Sequence, residues 1–597
     1  MSPESVFQAR QTQFKSSIAA IQKQLDQIAL VRLGVFLMAA GVQIASWGWG
    51  GAWWLLCLMA GLIGFGLTVK WNEAVNKRLR YQRLLLQFNE EEERRLKGDL
   101  KGFDEGAEFI DPAHPYTSDL DIFGKHSLYQ LLSRATTVFG RAKLAEWLQN
   151  PVGKAKVTER QEAGKQMAPL IDWRQEFQAI GKLQDSQGEN PEVLRRWMQE
   201  PGFVSQRPWL GFLPWVMIPL AAVEGLLEIF GQIPSGYFFL IMGFNFLVNR
   251  MINGRVQRIQ SASEERGRLL AAWSEMLAKI ESLEVSAPAV ATLKQRLSTQ
   301  GSPASAEIAR LGRIVGNLEF RNSGLPHFFM NTLFYWDVFC LKALEKWKRE
   351  LGERIVEWFE VIGEMEALNS LAAVRFAFPA WTDAETVEGS FLLEGEAIGH
   401  PLIGQQQRID NPISLPGNGA IWLVTGSNMS GKSTYLRTVG LNAVLALTGS
   451  PVCANKLRLS PMEVVTSMRT IDSLEENTSS FYAELKRLHS VIEIVKANPN
   501  VLFLLDEILK GTNSRDRQAG ARALVQQLHK YGGSGLVSTH DIELVDMAGQ
   551  MPEDIHNYSF NCTVTPDGQL HFDYLLTPGQ CLSMNATALM RAMGIEV

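Results

Sequence analysis

From the first residues to about residue 30, apolar positions Phe14, Ile18, Ile21, Leu25 and Ile28 recur in steps of three and four among polar ones. That period predicts an amphipathic helix, too polar and too far ahead of the first apolar run to be a secretory signal. The pattern then changes. Leu33 to Val69 holds no charged residue, and Gly48-Trp49-Gly50-Gly51 divides it. Two apolar segments of roughly 17 residues each predict a transmembrane hairpin, at the lower end of the spanning range. Trp47, Trp49, Trp53 and Trp54 gather at the turn, where an interfacial aromatic belt is expected. Arg32 on one flank and Lys70, Lys77, Arg78, Arg80 and Arg83 on the other put both ends in the cytoplasm. The alternative is a buried hairpin in a soluble core, though core helices seldom lack a polar face over such a length. Ala60 and Gly64 form a small-x-x-x-small pair suited to close helix packing.

A second apolar block repeats the theme. Pro208 to Val223 and Tyr237 to Asn249 flank Glu224, Glu228 and the turn from Gly231 to Gly236, bounded by Arg207 and Arg250. This predicts a second hairpin and four spans in all. Glu224 and Glu228, one helical turn apart, read either as a proton or cation site within a bundle or as water-facing residues beside the turn. Between the hairpins, residues 84 to 110 are strongly charged (Glu90-Glu91-Glu92-Glu93-Arg94-Arg95) and read as a solvated stalk. Helices follow over Ser127 to Leu132, Gly140 to Leu148 and toward Trp197. Two longer patterns come next, through Leu269, Leu270, Trp273, Met276, Leu277, Ile280 and Leu283, and through Leu344, Trp347, Leu351, Ile355, Trp358, Ile362 and Met365. Their spacing near 3.5 predicts long helices packed lengthwise. After the turn-rich passage Phe376 to Asp410, strands and helices alternate, which predicts an α/β sheet.

Composition adds limits. A chain of 597 residues is long enough for several cores. The net charge of -5 gives no global attraction to nucleic acid, so any DNA contact needs a local basic surface. The five cysteines are scattered, without C-x-x-C spacing, and read as reduced core or lipid-facing residues.

The chemistry is concentrated near residue 430. An apolar run from Ala420 to Val424 leads into Gly426-Ser427-Asn428-Met429-Ser430-Gly431-Lys432-Ser433-Thr434, and a helical run follows from Tyr435. Strand, G-x-x-x-x-G-K-S and helix form a phosphate cradle: backbone N–H groups face the phosphates, Lys432 reaches the terminal ones, and Ser433 ligates Mg²⁺. Val501 to Leu505 is a second apolar strand, ending in Asp506 and Glu507. There Asp506 supports Mg²⁺ through water and Glu507 orients the attacking water. Gly535 to Thr539 is a third strand, ending at His540, either a γ-phosphate sensor or a structural residue.

In this setting Thr425-Gly426-Ser427-Asn428-Met429-Ser430-Gly431-Lys432-Ser433-Thr434 resembles the phosphate loop of the MutS family, T-G-P-N-M-x-G-K-S-T. Gly399-His400-Pro401, Gly449 to Ala454, Ser479-Ser480-Phe481-Tyr482-Ala483-Glu484-Leu485, Asp506-Glu507-Ile508 with Gly511-Thr512, and Ser538-Thr539-His540 resemble the family's other blocks, in its order. Gly140 to Leu148, before Asn150-Pro151-Val152, resembles more weakly the start of its helical core. The resemblance implies an ABC-like ATPase using ATP and Mg²⁺ in a homodimer, with Ser479 acting in trans on the γ-phosphate of the other subunit. It also departs from the family. No counterpart of the mismatch-reading domain is recognisable, Phe103-Asp104-Glu105 lies in a charged loop, and the lever region looks shortened.

The reading is therefore multidomain: transmembrane helices, all-α core and lever helices, and a C-terminal α/β P-loop ATPase domain. Its boundaries are 1–110 (helix, hairpin at about 33–69, stalk), 111–207 (first part of the helical core), 208–250 (second hairpin), 251–375 (lever helices) and 376–597 (ATPase domain). The expected localisation is the inner cell membrane, multi-pass, with the ATPase domain in the cytoplasm. The expected partners are a second copy, the membrane, and DNA in mismatched or branched form. The alternative is a membrane-coupled signalling or remodelling ATPase that binds no DNA.

Overall fold

The computed structural model describes residues 2–48, 51–183, 196–234, 236–298, 301–469, 480–564 and 570–581. Trp49 and Gly50 of the first turn lie outside them. The helix α1 (Pro3–Ala45) runs unbroken from the amphipathic stretch into the apolar one, and α2 (Gly51–Leu96) returns beside it. Phe7, Phe14, Ile21 and Ile28 are all buried at seven-residue spacing, a heptad seam. Phe14 packs with Leu85 and Phe88, and Ile21 and Ile28 pack with Val75 and Leu79. Each such aliphatic burial contributes about 1.5–3 kcal/mol. Past Ile28 the seam ends, and Leu33, Phe36, Leu37, Leu55, Leu56 and Leu62 are exposed. The close approach in this half runs through Gly61, where a Cβ would meet that of Ala39 at 2.9 Å, rather than through Ala60, which is exposed.

The charged end of α2 is no solvated stalk. Glu92 is buried and takes a bidentate contact from buried Arg134, at 2.8 Å from Nε and 2.7 Å from Nη2. Arg95 is also buried, its guanidinium 4.0 Å from the Phe103 ring centroid. Burial acts to raise the Glu92 pKa, but Arg134 and Arg95 outweigh it and hold the carboxyl below its ordinary range. Glu92→Ala strands two buried guanidinium groups, which predicts a loss of about 3–5 kcal/mol. The lower midpoint should appear in thermal unfolding of the full chain; an unchanged midpoint contradicts the docking.

The middle of the chain is helical: α3 (Leu128–Leu132), α4 (Val138–Gln149), α5 (Lys154–Met167), α6 (Ile171–Leu183), α7 (Pro208–Ile229), α8 (Tyr237–Glu281), α9 (Pro288–Leu297), α10 (Ala304–Glu319), α11 (Leu325–Phe334), α12 (Trp336–Leu351) and α13 (Arg354–Ala377). The spine is α13, buried along most of its length. The run expected from Leu344 to Met365 is two helices, α12 and α13, with Gly352, a weak helix former, at the break.

Among the described residues, three helices are long and apolar enough to cross a membrane, α1, α2 and α7, against the four spans expected. The apolar start of α8 falls short because it carries Asn245 and Asn249, which are buried against α11. At the head of this hairpin, Glu228 accepts from the backbone N–H groups of Gly236 (2.9 Å) and Phe238 (2.8 Å), so it serves the start of α8 as a cap. Glu224 is half-buried, with one carboxylate oxygen unpartnered.

The C-terminal part is α/β with two mixed sheets. Its strands are β1 (Glu385–Thr386), β2 (Leu393–Ile398), β3 (Asn411–Leu415), β4 (Ile421–Gly426), β5 (Lys456–Leu459), β6 (Glu463–Ser467), β7 (Val501–Asp506), β8 (Ser534–Thr539), β9 (Ile555–Val564) and β10 (Leu570–Pro578). The small sheet has the order β1-β5-β2-β3 and the large one β10-β9-β4-β8-β7-β6. In the large sheet every pairing is parallel except β9 with β10. The inner strands are apolar on both faces, as helix-covered parallel strands are. Trp422, Val424, Leu504 and Leu536 face one cluster, and Leu423, Phe503, Leu505 and Val537 face the other. The longer helices that cover it are α14 (Lys432–Thr448), α15 (Ser480–Ala497) and α16 (Ser514–Lys530). The C-terminal strand ends form one edge, where parallel α/β sheets bind ligands.

Candidate functional site

The edge is assembled by register. Val424 of β4 lies beside Ser538 of β8, and Ser538 lies beside Asp506 of β7. The loops leaving these three strands therefore converge. After β4 the chain turns at Gly426, passes exposed Met429 (φ 68), and enters α14 at Gly431 (φ 103). Side chains are excluded at both glycines: a Cβ on Gly426 would meet the Phe560 carbonyl oxygen at 2.8 Å, and one on Gly431 the Tyr574 ring at 3.1 Å. The first N–H groups of a 17-residue helix thus open onto the loop with the positive end of its dipole.

Lys432 lies at the centre and is only 4% exposed. Its amine donates to the carbonyls of Gly426 (2.9 Å) and Ser427 (3.1 Å), and lies 3.3 Å from His540 Nε2 and 3.6 Å from Glu507 Oε1. Burial lowers its pKa, with Glu507 and Asp506 opposing. Ser430 is buried and its hydroxyl is unpartnered. A buried hydroxyl without a partner is costly unless a ligand oxygen meets it, so the loop's donor set fits a phosphate. Ser433 is half-buried, and Asn428 and Thr434 are exposed on the same rim.

From β7, Asp506 accepts a hydrogen bond from the Ser538 hydroxyl. Glu507 has φ 49, and its N–H donates to Ser538 Oγ at 3.1 Å. This strained backbone turns the carboxylate toward His540 Nε2 (2.8 Å) and Lys510 Nζ (3.0 Å). The His540 hydrogen bond, then Lys510, outweigh burial and hold the Glu507 carboxyl at about 2. Lys432, Glu507 and His540 are therefore brought together, with Asp506 behind them.

Ser479 lies outside the described residues. The helix that starts beside it, α15, packs on the loop after the acid pair: Glu484 accepts from the Leu509 N–H, and a Cβ on Gly511 would meet that of Phe481 at 2.8 Å.

A cavity of about 770 Å³ adjoins the loop and is also lined by His400, Gln407, Arg408, Ile409, Asn411 and Tyr574. Of these, only His400 fell within a motif of the sequence, and there without a role. Burial and then Arg437 push its pKa down to about 4. Tyr574 gave no sequence signal. It occupies an irregularity in the β9–β10 pairing at φ 54, and Asn411 of the other sheet holds it by donating to its carbonyl at 3.0 Å and accepting from the Leu576 N–H at 2.8 Å.

Residues 422–595 match the family model of MutS domain V. The C-terminal part of the chain is MutS-like. It is 33% identical over 231 residues to a protein of Natronomonas pharaonis named DNA mismatch repair protein MutS, covering 38% of this chain and 26% of that one. Proteins of the same name from Streptococcus mutans (30% over 233 residues; 38% and 27%) and Streptococcus pyogenes (29% over 252 residues; 41% and 28%) are also similar. The chain thus spans about a quarter of the length of these curated relatives. The MutS-like part takes in the large sheet from β4 and the three converging loops.

Proposed function

We propose that this chain is a membrane-anchored, MutS-type ATP hydrolase in which ATP binding drives a conformational switch in a dimer. The observation that carries the reading is the convergence of Lys432, Glu507 and His540 on a glycine-bounded helix N-terminus at one sheet edge. Residues Gly426 to Thr434 would take the phosphates, with Lys432 exchanging the Gly426 and Ser427 carbonyls for phosphate oxygens. Ser433, and Asp506 through water, would hold Mg²⁺, which supplies charge neutralisation on the phosphates. Glu507, ionised and aimed by His540 and Lys510, orients and polarises water. Ser479 of a second copy completes the γ-phosphate site, so turnover depends on dimer closure. ATP with Mg²⁺ added to the detergent-solubilised full chain should yield phosphate, and its absence at any protein concentration contradicts the reading.

We propose further that the Tyr574 ring, which lines the cavity beside Gly431, stacks on the base. Tyr574→Ala should raise the Kd for ATP about tenfold, within the roughly 1–3 kcal/mol that base–aromatic stacking contributes, and leave that for inorganic triphosphate unchanged. Equal weakening of both ligands excludes the stacking role.

DNA is the proposed macromolecular ligand, because the MutS relatives are named for DNA mismatch repair. Salt-dependent binding to duplex, mismatched and branched DNA, with and without ATP, tests it. No binding at low salt leaves the second reading, a membrane-coupled ATPase that moves its hairpins and ignores DNA. The exposed apolar halves of α1 and α2 favour that second reading equally.

A further inference from the structure

One apolar surface of the helical region belongs to no predicted span. From Asn322 to Trp336 the chain has no Asp, Glu, Lys or Arg, and α11 occupies most of that stretch. Leu325 is 72% exposed, Phe329 54% and Phe334 45%. Toward the end of the helix Asn331 and Thr332 are buried, and their carbonyls meet α8. The helix thus exposes four large apolar side chains, Leu325, Phe328, Phe329 and Phe334, while its last polar residues are buried.

We propose that α11 lies in the membrane interface beside the α7–α8 hairpin, with Leu325, Phe328, Phe329 and Phe334 entering the boundary between headgroups and acyl chains. The proposal rests on the membrane reading given above. Three observations favour a bilayer as the occupant. First, the last carbonyls of a helix are unsatisfied by the helix itself, and in lipid each such group costs several kcal/mol. Here Asn245 donates to the Thr332 carbonyl at 3.0 Å and accepts from the Tyr335 hydroxyl, and the Asn331 carbonyl, which also takes the Tyr335 N–H, accepts from Asn249 at 2.9 Å. Second, the flanking charges are turned inward. Asp337, itself buried, meets Arg321 at 2.8 Å and His327 at 2.9 Å, and the Arg321 side chain is only 9% exposed. Third, the apolar surface is continuous with the hairpin: Phe328 lies 5.9 Å from Phe246 of α8, and Phe339 of α12 lies 6.3 Å from Trp215 of α7.

Depth follows from the same contacts. Asn249 immediately precedes Arg250, the basic flank of the apolar block, and Asn245 lies one helical turn before it, so α11 docks at headgroup level, where aromatic residues gather. The arrangement also accounts for the asparagines that keep α8 short of a membrane span.

The test places a fluorophore on α11 of the full chain. In a Cys57→Ser, Cys581→Ser background, Phe329→Cys carries an environment-sensitive label, and the protein is reconstituted into phosphatidylcholine–phosphatidylglycerol vesicles with or without headgroup-proximal nitroxide lipids. The inference expects about a twofold loss of emission to the nitroxides and little to aqueous iodide, as for an interfacial helix. Lys346→Cys, exposed on α12, should show the reverse. A label on native Cys57 of α2, in Cys581→Ser protein, reports the hairpin itself. If Cys57 responds to the nitroxides and position 329 does not, the inference is overturned and the membrane reading stands. If neither responds, both fall. Leu325→Cys serves where Phe329→Cys does not fold.

Discussion

Glu507→Gln should lower ATP turnover by about 10²–10⁴-fold, the range attributed to a positioned general base, while ATP still binds. Gln keeps the length of the side chain but not the charge that pairs with Lys510 at 3.0 Å and receives His540 at 2.8 Å. The phosphate loop is untouched, so nucleotide should remain bound and the closed dimer accumulate. Single-turnover phosphate release with parallel nucleotide-binding and size measurements checks this, and unchanged turnover refutes the role. The pH dependence has a definite sign. With its carboxyl held at about 2, Glu507 stays ionised through the working range, so its titration contributes no acidic limb near the ordinary carboxylate pKa. Because that folded value is depressed, its contribution to stability is present above the unfolded pKa and lost only as pH falls toward 2.

Lys432→Ala should act on binding itself. The amine is buried and its partners are loop carbonyls and the Glu507–His540 pair, so its removal takes away the loop's only side-chain cation. Truncating one side of a buried, hydrogen-bonded charge pair costs about 2–5 kcal/mol, which corresponds to ATP binding weaker by roughly 30- to 4000-fold. Equilibrium binding of ATP by the full chain measures it directly. A normal affinity would count against the cradle.

Much of this site was legible because its signals are local. An apolar run, two glycines at fixed spacing and Lys-Ser before a helical run imply a strand, loop and helix without tertiary information, and Asp506-Glu507 ends a second apolar run in the same way. Tyr574 was not legible, because a strand irregularity and Asn411 from the other sheet bring it to Gly431. Glu92 misled for the opposite reason. Within Glu90-Glu91-Glu92-Glu93-Arg94-Arg95 every residue looks solvated, and only the helix phase that carries Glu92 and Arg95 toward Arg134 and Phe103 separates them from their neighbours. The α8 segment was read as a span from its apolar residues, but the two asparagines among them answer to α11, far along the chain. The seven-residue seam of α1 was visible in part, as Phe14, Ile21 and Ile28, while Phe7 joins it through its contact with Phe376 at 5.6 Å.

The central claim is that the loop from Gly426 to Thr434 binds and turns over ATP in a site completed by a second copy. The most direct measurement is ATP hydrolysis by the detergent-solubilised full chain across a range of protein concentrations, wild type beside Lys432→Ala. Specific activity should rise with concentration as dimers form and be absent from Lys432→Ala. Activity that is independent of concentration, or that survives in Lys432→Ala, would contradict it.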